Sequence, residues 1–188
     1  MPKIILFNGP PRSGKDTATG MALEYLGKRA VHYRFAAPLK DAIHGLFGMG
    51  GVKHEHFDMV KNDPSDIFFG MTPRNAYIWL SEEVAKPKFG SDFFARVAVN
   101  AIRNLSEDRT IVISDCGFNE EVEALRKEFG SENILVIYLE REGTDFSKDS
   151  RSYISAPLCK TCSIVNNGSY SQLNEKVIRC IEPFVNAK

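Results

Sequence analysis

No apolar run in this sequence is long enough to span a bilayer, which excludes a helical membrane protein and any membrane partner read on that basis. An imbalance of charge is missing too. Lys and Arg total 24 and Asp and Glu total 24, so no overall field gathers a nucleic acid polymer, and any anionic ligand must be held by local charges. The N-terminus has one lysine and then an apolar stretch without a signal-peptide cleavage pattern, from which a cytoplasmic protein is expected. Cysteines are few. Cys159 and Cys162 form one C-x-x-C pair with no second pair at zinc-finger spacing, so a structural metal would lack ligands, and metal or redox use of that pair is the minor reading. Cys116 and Cys180 read as small buried hydrophobes. Repeats and low-complexity tracts are absent. What remains is 188 residues, 43% hydrophobic and 26% charged, in line with one α/β domain spanning 1–188.

The informative stretch is Gly9-Pro10-Pro11-Arg12-Ser13-Gly14-Lys15-Asp16-Thr17. An apolar run, Lys3 to Asn8, precedes it, and Ala18, Met21, Ala22, Tyr25 and Leu26 follow at helical spacing. Between strand and helix, G-x-x-x-x-G-K is a phosphate-binding loop: backbone N–H groups and the helix N-terminus face the anion while the lysine reaches its outer phosphates. Gly9, Arg12, Ser13, Gly14, Lys15, Asp16 and Thr17 are thus the candidate nucleotide-binding residues. Asp16 stands where a Mg²⁺-binding hydroxyl is usual, and Thr17 follows one place later, so both join Asp115 as candidate metal ligands.

Further strands are expected at Val31–Phe35, Thr110–Ser114, Ile134–Leu139 and Ser163–Asn166, each separated by helical patterns. The third ends in Asp115, as a carboxylate positioned for Mg²⁺ would. Pro38 opens a helix whose start carries Lys40, Thr72-Pro73 caps one beginning with Arg74, and Ser91 can cap one carrying Arg96. Between them, residues 48–71 lack periodicity and read as a long loop. His54-Glu55-His56 within it reads as surface rather than metal site. Residues 140–160 are polar, with Arg141, Lys148, Arg151 and Lys160, and read either as a lid closing over phosphate or as a charged surface loop. Five strands alternating with helices predict a parallel sheet covered on both faces, with an excursion at about 48–105 and the lid at about 140–160.

Arg12-Ser13-Gly14-Lys15-Asp16-Thr17 resembles the loop of the bacteriophage deoxynucleoside monophosphate kinases, which also carries R-S-G-K-D-T. Ala37-Pro38-Leu39-Lys40-Asp41-Ala42, Ser114-Asp115 and Val165-Asn166-Asn167-Gly168-Ser169 are similar to later segments of that family in the same order. The resemblance implies a P-loop nucleotide kinase with strand order 2-3-1-4-5, and transfer of the ATP γ-phosphoryl group to a deoxynucleoside monophosphate with Mg²⁺. It implies Lys15, Arg141, Arg151 and Asp115 as catalytic residues, Lys40, Arg74 and Arg96 as acceptor-binding residues, and the host cytoplasm as location if a phage encodes the protein. A kinase of another small phosphate ester and a non-enzymatic nucleotide switch stay open. The switch lacks a guanine-reading N-K-x-D motif. Monomer and homodimer are both left open.

Overall fold

Five short apolar segments pair into one all-parallel sheet in a computed structural model that describes residues 1–105, 109–147, 149 and 151–187. The strands are β1 (Ile4–Asn8), β2 (Ala30–Tyr33), β3 (Thr110–Ile113), β4 (Ile134–Glu140) and β5 (Lys160–Val165), in spatial order β2-β3-β1-β4-β5. Every residue of β1 and β3 is buried, as an unbroken apolar run requires when both sheet faces are covered. Ile5 registers with Val112 on one side and with Leu135 on the other. The expected fold and strand order are therefore those observed.

Two units divide the chain, one made of Met1–Arg34 with Ala98–Lys188 and the other of Phe35–Val97. In the first, α1 (Lys15–Leu26) and α8 (Tyr170–Asn186) lie on one face of the sheet. Met21, Ala22, Leu173, Val177 and Ile181 there form a core with Ile5, Phe7, Val112, Ile137 and Ile164. Alternate residues point to the other face, and Ile4, Leu6, Ile111, Ile113 and Val136 are fully buried there. Val122, Leu125 and Phe129 of α7 (Asn119–Phe129) supply a further buried stripe in this unit. Ser169 caps α8 reciprocally with Gln172, its Oγ accepting the Gln172 N–H and its own N–H donating to Gln172 Oε1.

The second unit holds α2 (Ala37–Leu46), α3 (His54–Met59), α4 (Pro73–Ile78), a π-helix at Trp79–Ala85, α5 (Lys86–Phe89) and the start of α6 (Phe93–Arg103). Its core is aromatic: Ile43, Phe57, Phe68 and Ala76 are buried, with Phe47, Tyr77 and Trp79 packed around them.

Several sequence expectations need correction. The stretch 48–71 contains α3 and a 3-10 turn at Asp66–Phe68. Phe57 and Phe68 anchor these in the aromatic core, a tertiary contact that outweighs the weak local period. Helix α6 starts at Phe93, one residue later than a Ser91 cap would put it. Lys160 begins β5 rather than ending a lid, pairing with Leu135. Cys162 is disulfide-bonded to Cys180, which links β5 to α8, and Cys159 is free. The partner of Cys162 is thus not its C-x-x-C neighbour. Lys148 lies outside the described residues. Among the described residues no helix is long and apolar enough to cross a membrane.

Candidate phosphate-binding site

The loop after β1 leaves the sheet at its carboxyl edge, where β3 and β4 flank the central strand on opposite sides. Open α/β sheets bind ligands at this switch point. Gly14 is the N-cap of α1 at φ 99°, a left-handed conformation with little steric penalty only for glycine. A Cβ there would also stand 2.4 Å from Asn166 Nδ2. That amide donates to Ser13 O at 2.9 Å, so the residue after β5 holds the loop from the side. Arg12 is left-handed as well, at φ 65°, a local strain of the kind that persists where surrounding structure over-determines a ligand loop.

Lys15 is buried, and its Nζ donates to Gly9 O at 2.6 Å and Pro10 O at 2.7 Å. The ammonium therefore sits inside the loop, satisfied by carbonyls of the loop itself. Burial, and then the nearby Arg151 charge, lower its pKa, while Asp16 and Asp149 oppose that shift. Ser13 Oγ is buried with no hydrogen-bond partner among the described residues. An orphaned hydroxyl beside an inward ammonium fits a loop made to close on an anion carrying several acceptor oxygens. Asp16 and Thr17, in the first turn of α1, are exposed.

Asp115 lies two residues past the end of β3 and is half-buried, and its charge acts on His32, Tyr33, Glu121 and Arg151. Tyr33 is pushed up to about 12, by burial first and Asp115 second. Ser114 Oγ meets His32 Nε2 at 3.0 Å, and burial lowers the His32 pKa, favouring neutral imidazole. Among the described residues no three His, Cys, Asp or Glu side chains converge as a metal cage. A divalent cation would here rest on Asp115 with Asp16 or Thr17, the sparse protein ligation usual when phosphates supply the other oxygens.

Arg151, expected as a lid cation, lies near enough for its charge to act on Lys15. Its guanidinium forks onto Asp149, Nε to Oδ1 at 2.8 Å and a terminal nitrogen to Oδ2 at 2.6 Å. That pairing draws the Asp149 carboxyl down to about 2. The segment after Arg151 is tied into the sheet edge. Ser152 N donates to Gly117 O, Ile154 N to Asn8 Oδ1, Ser155 N to Asn119 Oδ1, and Tyr138 Oη to Ile154 O. Arg141 is exposed after β4, where its carbonyl closes a turn with Thr144.

The candidate acceptor residues belong to the other unit. Lys40 Nζ pairs with Asp58 at 2.6 Å above the Tyr77 ring, while Tyr77 Oη meets the buried His44 Nε2 at 2.9 Å. His54 pairs with Asp41 at 2.7 Å, so it is not a bare surface histidine. Thr72 caps α4 as its sequence suggests, accepting the Asn75 N–H at 3.1 Å. The Arg74 side chain is exposed, but its backbone N–H already donates to Lys61 O, which leaves only the guanidinium for an anion. Arg96 is held by Asp92 and donates to Phe89 O.

Three residues of this region escape sequence reasoning. Asn8 is fully buried and its amide ties Cys116 O and Ser152 O together, both at 3.0 Å. Its signal is a lone amide closing an apolar strand. Glu121 is buried in α7 and Asn166 clamps the loop. Glu121, three residues after the N-cap Phe118, could have been found as the N3 carboxylate of a helix start, whereas Asn166 works through a backbone group distant in sequence.

Sheet order, strand-loop-helix geometry and carboxylate position together define a P-loop NTPase α/β fold. No family model matches the chain. It is 25% identical over 191 residues to a protein of Acanthamoeba polyphaga mimivirus provisionally named a deoxynucleotide monophosphate kinase, covering 95% of this chain and 96% of that one. It is 24% identical over 147 residues to phosphomevalonate kinase of Drosophila melanogaster, covering 74% and 68%. Among solved structures it is similar to thymidylate kinase of Candida albicans (TM-score 0.49, 13% identity, 98% and 93% covered) and to a sugar kinase of Janibacter sp. (TM-score 0.47, 14% identity, 97% and 95% covered).

Proposed function

We propose that the protein transfers the γ-phosphoryl group of ATP to a small acceptor that already bears a phosphate, and that this acceptor is a deoxynucleoside monophosphate. The observation that carries the reading is the inward Lys15 in a strained, clamped loop at the sheet's switch point, with Asp115 just past the end of the adjacent strand. The acceptor reading draws on the similarity to the mimivirus protein, which runs nearly end to end, and on the R-S-G-K-D-T loop.

In this reading the loop amides and Lys15 hold the donor phosphates, and Lys15 exchanges its bonds to Gly9 O and Pro10 O for phosphate oxygens. Arg151 and Arg141 neutralise charge that develops during transfer, while Lys40, Arg74 and Arg96 bind the acceptor phosphate. Asp115, with Asp16 or Thr17, would hold Mg²⁺, which supplies charge neutralisation at the phosphates when bound. The bond from the γ-phosphorus to its bridging oxygen breaks and a new one forms to an acceptor phosphate oxygen. That oxygen is already anionic, so no strong general base is needed, and alignment with charge neutralisation carries the rate. A cytoplasmic setting, host cytoplasm for a phage gene, goes with this chemistry.

Similarity to the phosphomevalonate kinase over 147 residues favours one other acceptor class, a phosphorylated non-nucleotide metabolite. Coupled ADP-release measurements across deoxy- and ribonucleoside monophosphates and phosphomevalonate decide between them. Turnover of deoxynucleoside monophosphates is expected. Preference for phosphomevalonate would replace the acceptor, and ADP release independent of every acceptor would reject transfer.

A further inference from the structure

The turn after β3 carries more than Asp115. Glu121, 8% exposed in the first turn of α7, accepts two consecutive backbone N–H groups through one oxygen: Gly117 at 2.8 Å and Phe118 at 3.0 Å. Gly117 in turn meets the segment that bears Arg151. Its carbonyl accepts the Ser152 N–H at 3.3 Å. Its Cα lies so close beneath the Arg151 side chain that a Cβ would stand 2.4 Å from Cδ, 2.5 Å from Cγ and 2.8 Å from Cβ of that arginine. One glycine is thus gripped by a buried carboxylate on one side and supports the stem of an arginine on the other.

We propose that Glu121 is a positioning residue: by fixing the Gly117–Phe118 turn it sets the bed on which the Arg151 side chain lies, and so the place of the Arg151 guanidinium beside Lys15. The proposal rests on the phosphoryl-transfer reading for its catalytic consequence, but not for its geometry. Asp149 orients the guanidinium from within the same loop, whereas Glu121 anchors the stem to the sheet edge. Burial gives the carboxylate no freedom to trade these partners for water. Burial also raises its pKa, which the two N–H donors oppose.

Kinetics and chemical labelling test this on the full chain. Glu121→Ala should lower kcat roughly 10–100-fold while changing the KM for ATP little, because misplacing a charge-neutralising group by about an ångström costs on that scale. Glu121→Gln should recover most of the loss, since its side-chain oxygen can accept the same two amides. In an Arg151→Ala background, Glu121→Ala should lower kcat no further. Additive losses, or a Glu121→Ala enzyme near wild-type kcat, would overturn the proposal. Phenylglyoxal labelling of Arg151, mapped by mass spectrometry, reads the geometry without any transfer, and the alanine variant should label several-fold faster than wild type. If wild type turns over no acceptor, the functional reading falls and labelling alone decides, with equal rates rejecting the positioning role. Should Glu121→Ala fail to fold, Glu121→Asp, which keeps the charge but withdraws the oxygen by one methylene, carries both measurements.

Discussion

The two units of the chain treat their candidate cations in opposite ways. In the sheet unit, Lys15 is buried in its own loop and Arg151 lies against Gly117, each held by backbone that the strands fix in place. In the helical unit, Lys40 pairs with a half-exposed Asp58, while Arg74 and Arg96 are exposed near the starts of α4 and α6. Geometry that every phosphoryl donor shares belongs on a rigid scaffold, whereas contacts that choose an acceptor can sit on elements free to vary. In the proposed reading the donor side is therefore the better defined of the two.

Three variants would break or sharpen that contrast. The largest effect is expected from Lys15→Ala, which should lower transfer roughly 10²–10³-fold, the cost of removing one preorganised group at the reacting phosphate. Circular dichroism should show the fold intact, and near-normal turnover would remove Lys15 from the mechanism. Next comes a pH effect on stability from the sheet unit. Glu121 is held up to about 7 by burial against an ordinary value of 4.5. Between those values the folded chain keeps a proton that the unfolded chain has released, so its stabilising contribution, complete below about 4.5, is lost as pH rises to about 7. The span is about 3 kcal/mol. Thermal melts of Glu121→Gln should lack this decline. Asp149 acts oppositely, adding stability above its ordinary 3.8 that is lost as pH falls towards 2, outside that window. The smallest effect is expected in the helical unit. Arg74→Lys keeps the charge and loses the bidentate fork, which should raise the acceptor KM about tenfold or less and leave the KM for ATP unchanged. Equal weakening of both substrates would place Arg74 outside the acceptor site.

This contrast also governs how much could be read from the residues alone. Strands β1, β3 and β4 are apolar runs whose burial on both faces follows from composition, and the loop announces itself through Gly9, Gly14 and Lys15. The spatial strand order came from the kinase resemblance rather than from any periodicity. Helix α3 and the π-helix at Trp79–Ala85 stayed hidden because they are short or irregular, and aromatic packing around Phe57 and Phe68 accompanies them instead of a clear local period. Asn8, Glu121 and Asn166 were missed for a different reason. Each satisfies backbone groups, and a backbone group leaves no letter in the sequence.

The order of segments along the chain bears on how the protein is made. Strand β1 is central, yet both of its neighbours come after residue 97, β3 starting at Thr110 and β4 ending at Glu140. At 5–20 residues per second a ribosome needs roughly 5–21 s to go from Asn8 to Ile113, and for that time Ile4, Ile5, Leu6 and Phe7 have no strand to pair with. Residues 35–97, by contrast, are continuous and complete their unit before β3 is synthesised. The nascent chain thus carries a helical middle ahead of its sheet, and the loop at 9–17 waits for its clamp, Asn166, until β5 has been made.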